Sequence, residues 1–175
     1  MNSPKVQLAK AFAYAAHAAC GQIRKYTGEP YFMHVHRVAE TVAQTDNANE
    51  DMICAAYLHD TIEDTKVHLK DISTFFGSDV AVLVLQLTNV SKPEDGNRAF
   101  RKELDRSHTA KACPEAKTIK LADIKDNVTS ITKYDKGFAK TYLKEKKMLL
   151  EFLKEGDPRL WIDVRDIIED WENGK

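Results

Sequence analysis

The chain has 175 residues, with 26 Lys and Arg against 27 Asp and Glu for a net charge of -1, and 43% of its residues are hydrophobic. That balance excludes a disordered chain and gives no global attraction to nucleic acid or to an anionic membrane surface. The longest clearly apolar run, Val80 to Leu85, is far short of the roughly 20 residues a membrane helix needs. Ser3 and Pro4 form an N-cap and a first helical residue, and Leu8, Phe12, Ala15, Ala16 and Ala19 then recur at helical spacing until Gly21. Gly21 to Tyr31, GQIRKYTGEPY, is a loop carrying two adjacent cations. Helices are predicted over Phe32 to Gln44 and from Asn49 or Glu50 to His59. Thr65 to Gly77 reads as a turn and a short helix, with Leu69, Ile72, Phe75 and Phe76 inward and Gly77 closing it. Ser78 to Val90 is Val-rich enough for a strand but has the length and neighbours of a buried helix. SKPEDGN, Ser91 to Asn97, is a loop, and a polar helix covers Arg98 to Ala112. Pro114 opens a helix to about Ile131, Gly137 breaks the pattern, and Ala139 to Lys154 and Pro158 to Asn173 are the last two helices, the latter capped by Asp157. No strand alternation persists, so the expected fold is all-α, a compact helical bundle forming a single domain over 1–175.

The N-terminus, MNSPKVQLAK, lacks the apolar stretch of a signal peptide. Cys20, Cys54 and Cys113 form no CxxC pair. They read as reduced, buried thiols of a cytoplasmic protein.

The chemistry begins at AAYLHDTIEDT. A lone HD dipeptide carries no information, but His59 and Asp60 close an apolar helical run and therefore stand at the mouth of a core. Glu63 and Asp64 follow at three and four residues, so either shares a face with Asp60 if the helical turn persists. Like charges crowded in this way persist only with a cation or a proton. Two further groups suit that cation. His34 lies just inside a helix after an aromatic pair in PYFMHVHRVAE, and Asp123 follows Ile119, Leu121 and Ala122 in KLADIKDN. Two imidazoles and two carboxylates make a mixed nitrogen and oxygen site that suits Mn, Fe or Zn and leaves positions open to water. Taken singly, His34 is also compatible with a packed core histidine and Asp123 with a solvated helix residue.

In this order, His34, His59-Asp60 and Asp123 resemble the HD-domain metal-dependent phosphohydrolases. The blocks GQIRKYTGEPYFMH, LHDTIEDT, FGSDV and KLADIKDN are similar to the alarmone hydrolase domain of RelA/SpoT-type proteins over residues 13–131. The resemblance implies an HD-type domain that binds one divalent metal, most simply Mn, through His34, His59, Asp60 and Asp123. It implies catalytic roles for Glu63 and Asp64, and nucleotide contacts from Arg24, Lys25, Asn127 and Ser130. The implied reaction removes pyrophosphate from the 3′ position of a guanosine tetra- or pentaphosphate. The implied partner is thus a small nucleotide, with neither nucleic acid nor membrane.

Departures from the family pattern lie near the substrate rather than in the metal set. Val35 stands where Pro is usual, Ile124-Lys125-Asp126 replaces Arg-Leu-His, and TNVSK replaces a DGVTK-like segment. An adenosine alarmone, a nucleoside monophosphate or NADPH therefore stays open as substrate, as does a catalytically silent nucleotide-binding module. His17, in a run of alanines, reads as a packed or hydrogen-bonded core histidine, and His68 and His108 read as surface residues. Lys92, Lys120 and Lys125 are further candidates for a polyphosphate, and the Lys-rich stretch Lys133 to Lys147 reads as a solvated helix face.

Overall fold

Capping and apolar stripes account for where each helix of this chain starts and stops. The structure, a computed structural model, describes residues 3–174. Ten helices and no strand occur among them, so the protein is all-α. None of these helices is long and apolar enough to cross a membrane. The backbone divides into two compact units, Met1–Thr88 and Asn89–Lys175.

In the first unit, α1 (Pro4–Ala19) starts where the Ser3 hydroxyl accepts the Val6 N–H at 3.2 Å. Its buried row is Val6, Ala9, Ala13 and His17, whereas Leu8, Ala15 and Ala19 are exposed. The expected row was therefore displaced. In a helix this rich in alanine two apolar rows have similar periodicity, and the neighbouring helices select between them. The helices α2 (Phe32–Ala43) and α3 (Glu50–Leu58) follow, and the Asn49 side chain caps α3 by accepting the Met52 N–H at 2.9 Å. All residues of α3 from Met52 to Leu58 are buried. A helix apolar on every side belongs at a centre, and α3 packs on α1, α2 and α6 (Ser78–Leu87).

Between α3 and α6 lie a single turn, α4 (Thr61–Asp64), and α5 (Leu69–Phe76). Ile72 and Phe76 of α5 are buried, but Phe75 is exposed and Leu69 only half-buried. Phe75 instead lays its ring 5.8 Å from that of Phe12. Helix α6 is a helix as expected but stops at Leu87, with Val82 and Leu85 exposed, so only one of its faces is buried.

In the second unit the helices are α7 (Arg98–Thr109), α8 (Pro114–Tyr134), α9 (Lys136–Leu150) and α10 (Pro158–Glu172). The break after α8 falls at Asp135 rather than at Gly137. Asp135 leaves the helical conformation, and its carboxylate accepts the Phe138 N–H at 2.9 Å, capping α9. Gly137 then rides in the first turn of α9. Helix α9 ends at Leu150, short of Lys154, and Trp161 Nε1 donates to the Leu150 carbonyl at 2.9 Å. Asp157 caps α10 as expected, accepting the N–H groups of Arg159 and Leu160 at 3.0 Å each. Gly156 just before it presses on α8. A Cβ there would lie 2.9 Å from Leu121 Cδ1 and 3.0 Å from the Thr118 nitrogen.

Of the cysteines, Cys54 is buried and Cys113 half-buried, but Cys20 is exposed. Cys20 caps the end of α1 on the solvent side, where no helix covers it.

Candidate metal centre

The first unit builds a cluster of two imidazoles and a carboxylate. His34 stands on the buried stripe of α2 with Val35, Val38, Ala39 and Val42, so the same periodicity that buries the valines buries the ring. His59 follows the last residue of α3. Its Nδ1 lies 2.8 Å from the Ala56 carbonyl, and the Thr61 hydroxyl donates to the Leu58 carbonyl at 2.7 Å. These two bonds close α3 and open α4 at once, which sets His59 and Asp60 side by side at the helix junction. His59 Nε2 is 3.1 Å and His34 Nε2 3.6 Å from Asp60 Oδ2. One ligand atom from each of the three residues lies within 4.8 Å of the others.

The donor set fits a divalent cation. Only an N–H can meet the Ala56 carbonyl, so Nδ1 of His59 carries the proton and Nε2 presents its lone pair in the neutral ring. A lone pair facing a carboxylate oxygen at 3.1 Å is repulsive unless a proton or a metal lies between them. The same electrostatics act on Asp60. Burial pushes its carboxyl up, but when no metal is bound the protonated imidazoles of His59 and His34 outweigh that and hold it well below the usual carboxylate range.

Around this cluster lie partners that the motif reading passed over. Tyr31 Oη donates to Asp60 Oδ2 at 2.7 Å. Gln22 Nε2 donates to Asp64 Oδ2 at 2.9 Å, and Gln22 Oε1 then accepts from His17 Nδ1 at 2.6 Å. His17 is 1% exposed and packs its ring 5.0 Å from that of Tyr31, so it is the hydrogen-bonded core histidine expected. Its part in a chain leading to Asp64 was not foreseen. A polar side chain on the row Val6, Ala9, Ala13 is the sequence signal that points to it.

Asp64 closes the turn of α4, with its N–H on the Asp60 carbonyl at 3.0 Å. Desolvation by the surrounding protein and the Asp60 charge push its carboxyl above the ordinary value. Both Asp64 and Glu63 beside it have exposed edges. In the loop before α2, the Arg24 N–H bonds the Glu29 carbonyl at 2.9 Å, and the Arg24 guanidinium lies 5.7 Å from the Tyr31 ring centre. The Lys25 ammonium instead lies against Tyr26, 4.8 Å from its ring centre. The fold thus brings His34, His59, Asp60 and Asp64 together, with Arg24 one residue pair away across Tyr31.

The remaining predicted residues stand on α8 in the second unit. Asp123 is buried, not solvated. Its Oδ1 accepts from Asn127 Nδ2 at 2.6 Å and its Oδ2 lies 3.0 Å from the Lys120 ammonium. Asn127 therefore orients Asp123 one turn away. The Ser130 hydroxyl donates to the Asn127 carbonyl at 3.0 Å.

A family model described as HD domain matches residues 11–137. Among relatives, the guanosine-3′,5′-bis(diphosphate) 3′-pyrophosphohydrolase MESH1 of Drosophila melanogaster is 35% identical over 130 residues, which cover 73% of this chain and 71% of that protein. The guanosine-3′,5′-bis(diphosphate) 3′-pyrophosphohydrolase of Aquifex aeolicus is 30% identical over 171 residues, 97% of this chain but 24% of the relative. A probable enzyme of the same name from Mycoplasma pneumoniae is 29% identical over 120 residues, and only 16% of its length is spanned. A solved structure described as a metazoan ortholog of SpoT that hydrolyzes ppGpp superposes with a TM-score of 0.87 at 27% identity, over 97% of both chains.

Proposed function

The chain belongs to the HD domain family, and from that premise we propose that it is a metal-dependent phosphohydrolase that removes the 3′-pyrophosphate of a (p)ppGpp-type nucleotide, giving GDP or GTP and pyrophosphate. The observation that carries the reading is the buried group His34, His59 and Asp60, whose ligand atoms face one another. The names of the fly and Aquifex relatives and of the superposed structure supply the substrate class.

In this reading His34, His59 and Asp60 hold one divalent ion with Asp123 as fourth ligand, the last assigned from its place in the motif order. Mn suits a nitrogen and oxygen donor set with positions left open, and Zn or Fe suits it next best. When bound, such an ion acidifies a coordinated water and screens the anionic phosphate. The chain's own groups do the rest. Glu63 accepts the proton of the attacking water as the new oxygen–phosphorus bond forms. The bond from phosphorus to the ribose 3′ oxygen breaks, and Asp64 is suited to return a proton to that oxygen. A carboxyl raised by burial and by Asp60 carries a proton closer to neutrality than an ordinary one. Gln22 fixes one Asp64 oxygen, leaving the other to act. Arg24 and Lys25 take the nucleotide's base or phosphates, because a planar guanidinium both stacks and pairs with phosphate. Asn127 and Ser130 serve the nucleotide from α8, with Asn127 also steadying Asp123.

The catalytically silent alternative is disfavoured by the same groups, since a binding module has no need of carboxylates beside two buried imidazoles. The test is a substrate panel on the Mn-loaded chain: guanosine and adenosine 3′-diphosphate alarmones, nucleoside monophosphates and NADPH. Pyrophosphate released from the guanosine compounds is the expected result. Orthophosphate as the product, or no turnover of any alarmone, overturns the proposal.

A further inference from the structure

The second unit contains a cavity of about 70 Å³ between α7, α8 and α9, and its charge balance is unusual. Lys102, Arg106, Lys120 and Lys146 line it, against the carboxylates of Asp105 and Glu145. Both carboxylates already have partners. Asp105 accepts the Ser91 N–H and hydroxyl at 3.0 Å each as well as Lys102 at 3.3 Å. Glu145 is gripped by Arg98 through Nε at 2.7 Å and Nη2 at 2.9 Å. Arg106 pairs with Glu103, and Lys120 with Asp123.

Lys146 is the remainder. Among the described residues its ammonium has no carboxylate in ion-pair range, and it rests 4.9 Å from the Tyr142 ring centre. The sequence had placed it on a solvated face, but burial and the neighbouring Lys120 charge push its pKa down to about 8. Lys102 adds to that repulsion, and only Asp123 and Glu145 oppose it. Lys146 is half-buried, and a cation partly withdrawn from water among like charges is stabilised by an anion that joins it. The cavity is several times the roughly 10–15 Å³ that one water needs on the same measure, which leaves room for a phosphoryl group. Converging ammonium and guanidinium donors match the several acceptor oxygens of such a group.

We propose that this cavity is a binding site for a phosphate-class oxyanion, with Lys146 its central ligand and Lys102, Lys120 and Arg106 completing it. The proposal uses none of the residues given a role in the hydrolase reading, although Lys120 pairs with one of them, Asp123. The anion is either free phosphate or pyrophosphate, or a terminal phosphate of a nucleotide.

The experiment follows the lysine ammonium signals of the full chain by 15N NMR, with the Lys146 signal identified by its loss in Lys146→Met. Phosphate, pyrophosphate and a guanosine 3′,5′-diphosphate are added in separate arms. Each is run with metal and again with EDTA, so that anion binding at the metal is subtracted. A saturable shift of the Lys146 signal that survives EDTA is expected in at least one arm, and the arm that gives it names the source. By calorimetry the same anion should bind Lys146→Met at least tenfold more weakly, while that variant melts no lower than the parent. Lys102→Gln, at a half-buried position on the same wall, should weaken binding several-fold. A Lys146 signal unmoved in every arm, or equal anion affinity in the parent and Lys146→Met, overturns the proposal. If Lys146→Met does not fold, Lys146→Gln takes its place in both the signal assignment and the calorimetry, with Lys102→Gln as the second variant.

Discussion

Asp60 and Glu63 are three residues apart, yet the structure gives them opposite surroundings. Asp60 accepts from Tyr31 and faces both imidazoles, whereas Glu63 is exposed at the end of the same turn. Replacing Asp60 removes a ligand and leaves two lone pairs with nothing to share. Asp60→Ala should therefore lose the metal, read as moles of metal per chain, and with it all turnover. Glu63→Ala should keep the metal and lower kcat by about 10²–10⁴-fold, the usual worth of one acid–base group. A Glu63→Ala enzyme of unchanged rate removes Glu63 from the mechanism. At this scale the grouping of His34, His59 and Asp60 was legible, because their order and local context agree even though each alone has another reading. Tyr31, Gln22 and His17 were not. Their role depends on the Gly21 to Tyr31 loop folding back so that Gln22 reaches Asp64, a contact across 42 positions in the chain.

Among elements, the caps were read correctly and the buried faces less so. Ser3 and Asp157 accept the N–H groups their positions imply, and Asn49, one of two expected starts of α3, is its cap rather than its first residue. Capping is a local matter, settled by a side chain and the next three residues. Which row of α1 faces inward is not local, because Leu8 and Ala9 sit on adjacent rows and α3 takes the second. In the second unit Gly156 lets the turn before α10 touch the backbone of α8, because it has no Cβ. A methyl group there must displace Leu121 Cδ1 and crowd the backbone of Lys117 and Thr118. Gly156→Ala should destabilise the protein by about 1–3 kcal/mol in urea unfolding, the range for overpacking. Metal content per folded chain should stay unchanged. A stability equal to the parent's would show that α8 and the turn can separate without cost.

For the molecule as a whole, the proposed ion is also a stabilising ligand. A metal that binds only the folded state adds about 2.7 kcal/mol when present at a hundred times its Kd. EDTA should therefore lower Tm and abolish turnover together, and added Mn should restore both; a Tm indifferent to chelation contradicts the reading. The pH dependence has a definite sign. The Asp60 carboxyl is held below its unfolded value, so its contribution is full above about pH 4 and is lost as pH falls through the depressed folded value. Acid titration of the metal-free chain, followed by circular dichroism, should show the parent losing stability over that window and Asp60→Asn losing less.

Order along the chain was enough for the all-α class, most helix starts and the grouping of His34 with His59 and Asp60, because caps, apolar periodicity and residue chemistry are all local properties. Packing alone settled the rest: that His59 turns its Nε2 to Asp60, that His17 reaches Asp64 through Gln22, that Cys20 lies outside, and that Lys146 lines a cavity instead of a solvated face. Each of these depends on which surfaces of distant helices meet, and a helical period of 3.6 residues does not distinguish one apolar row from its neighbour until something packs against it.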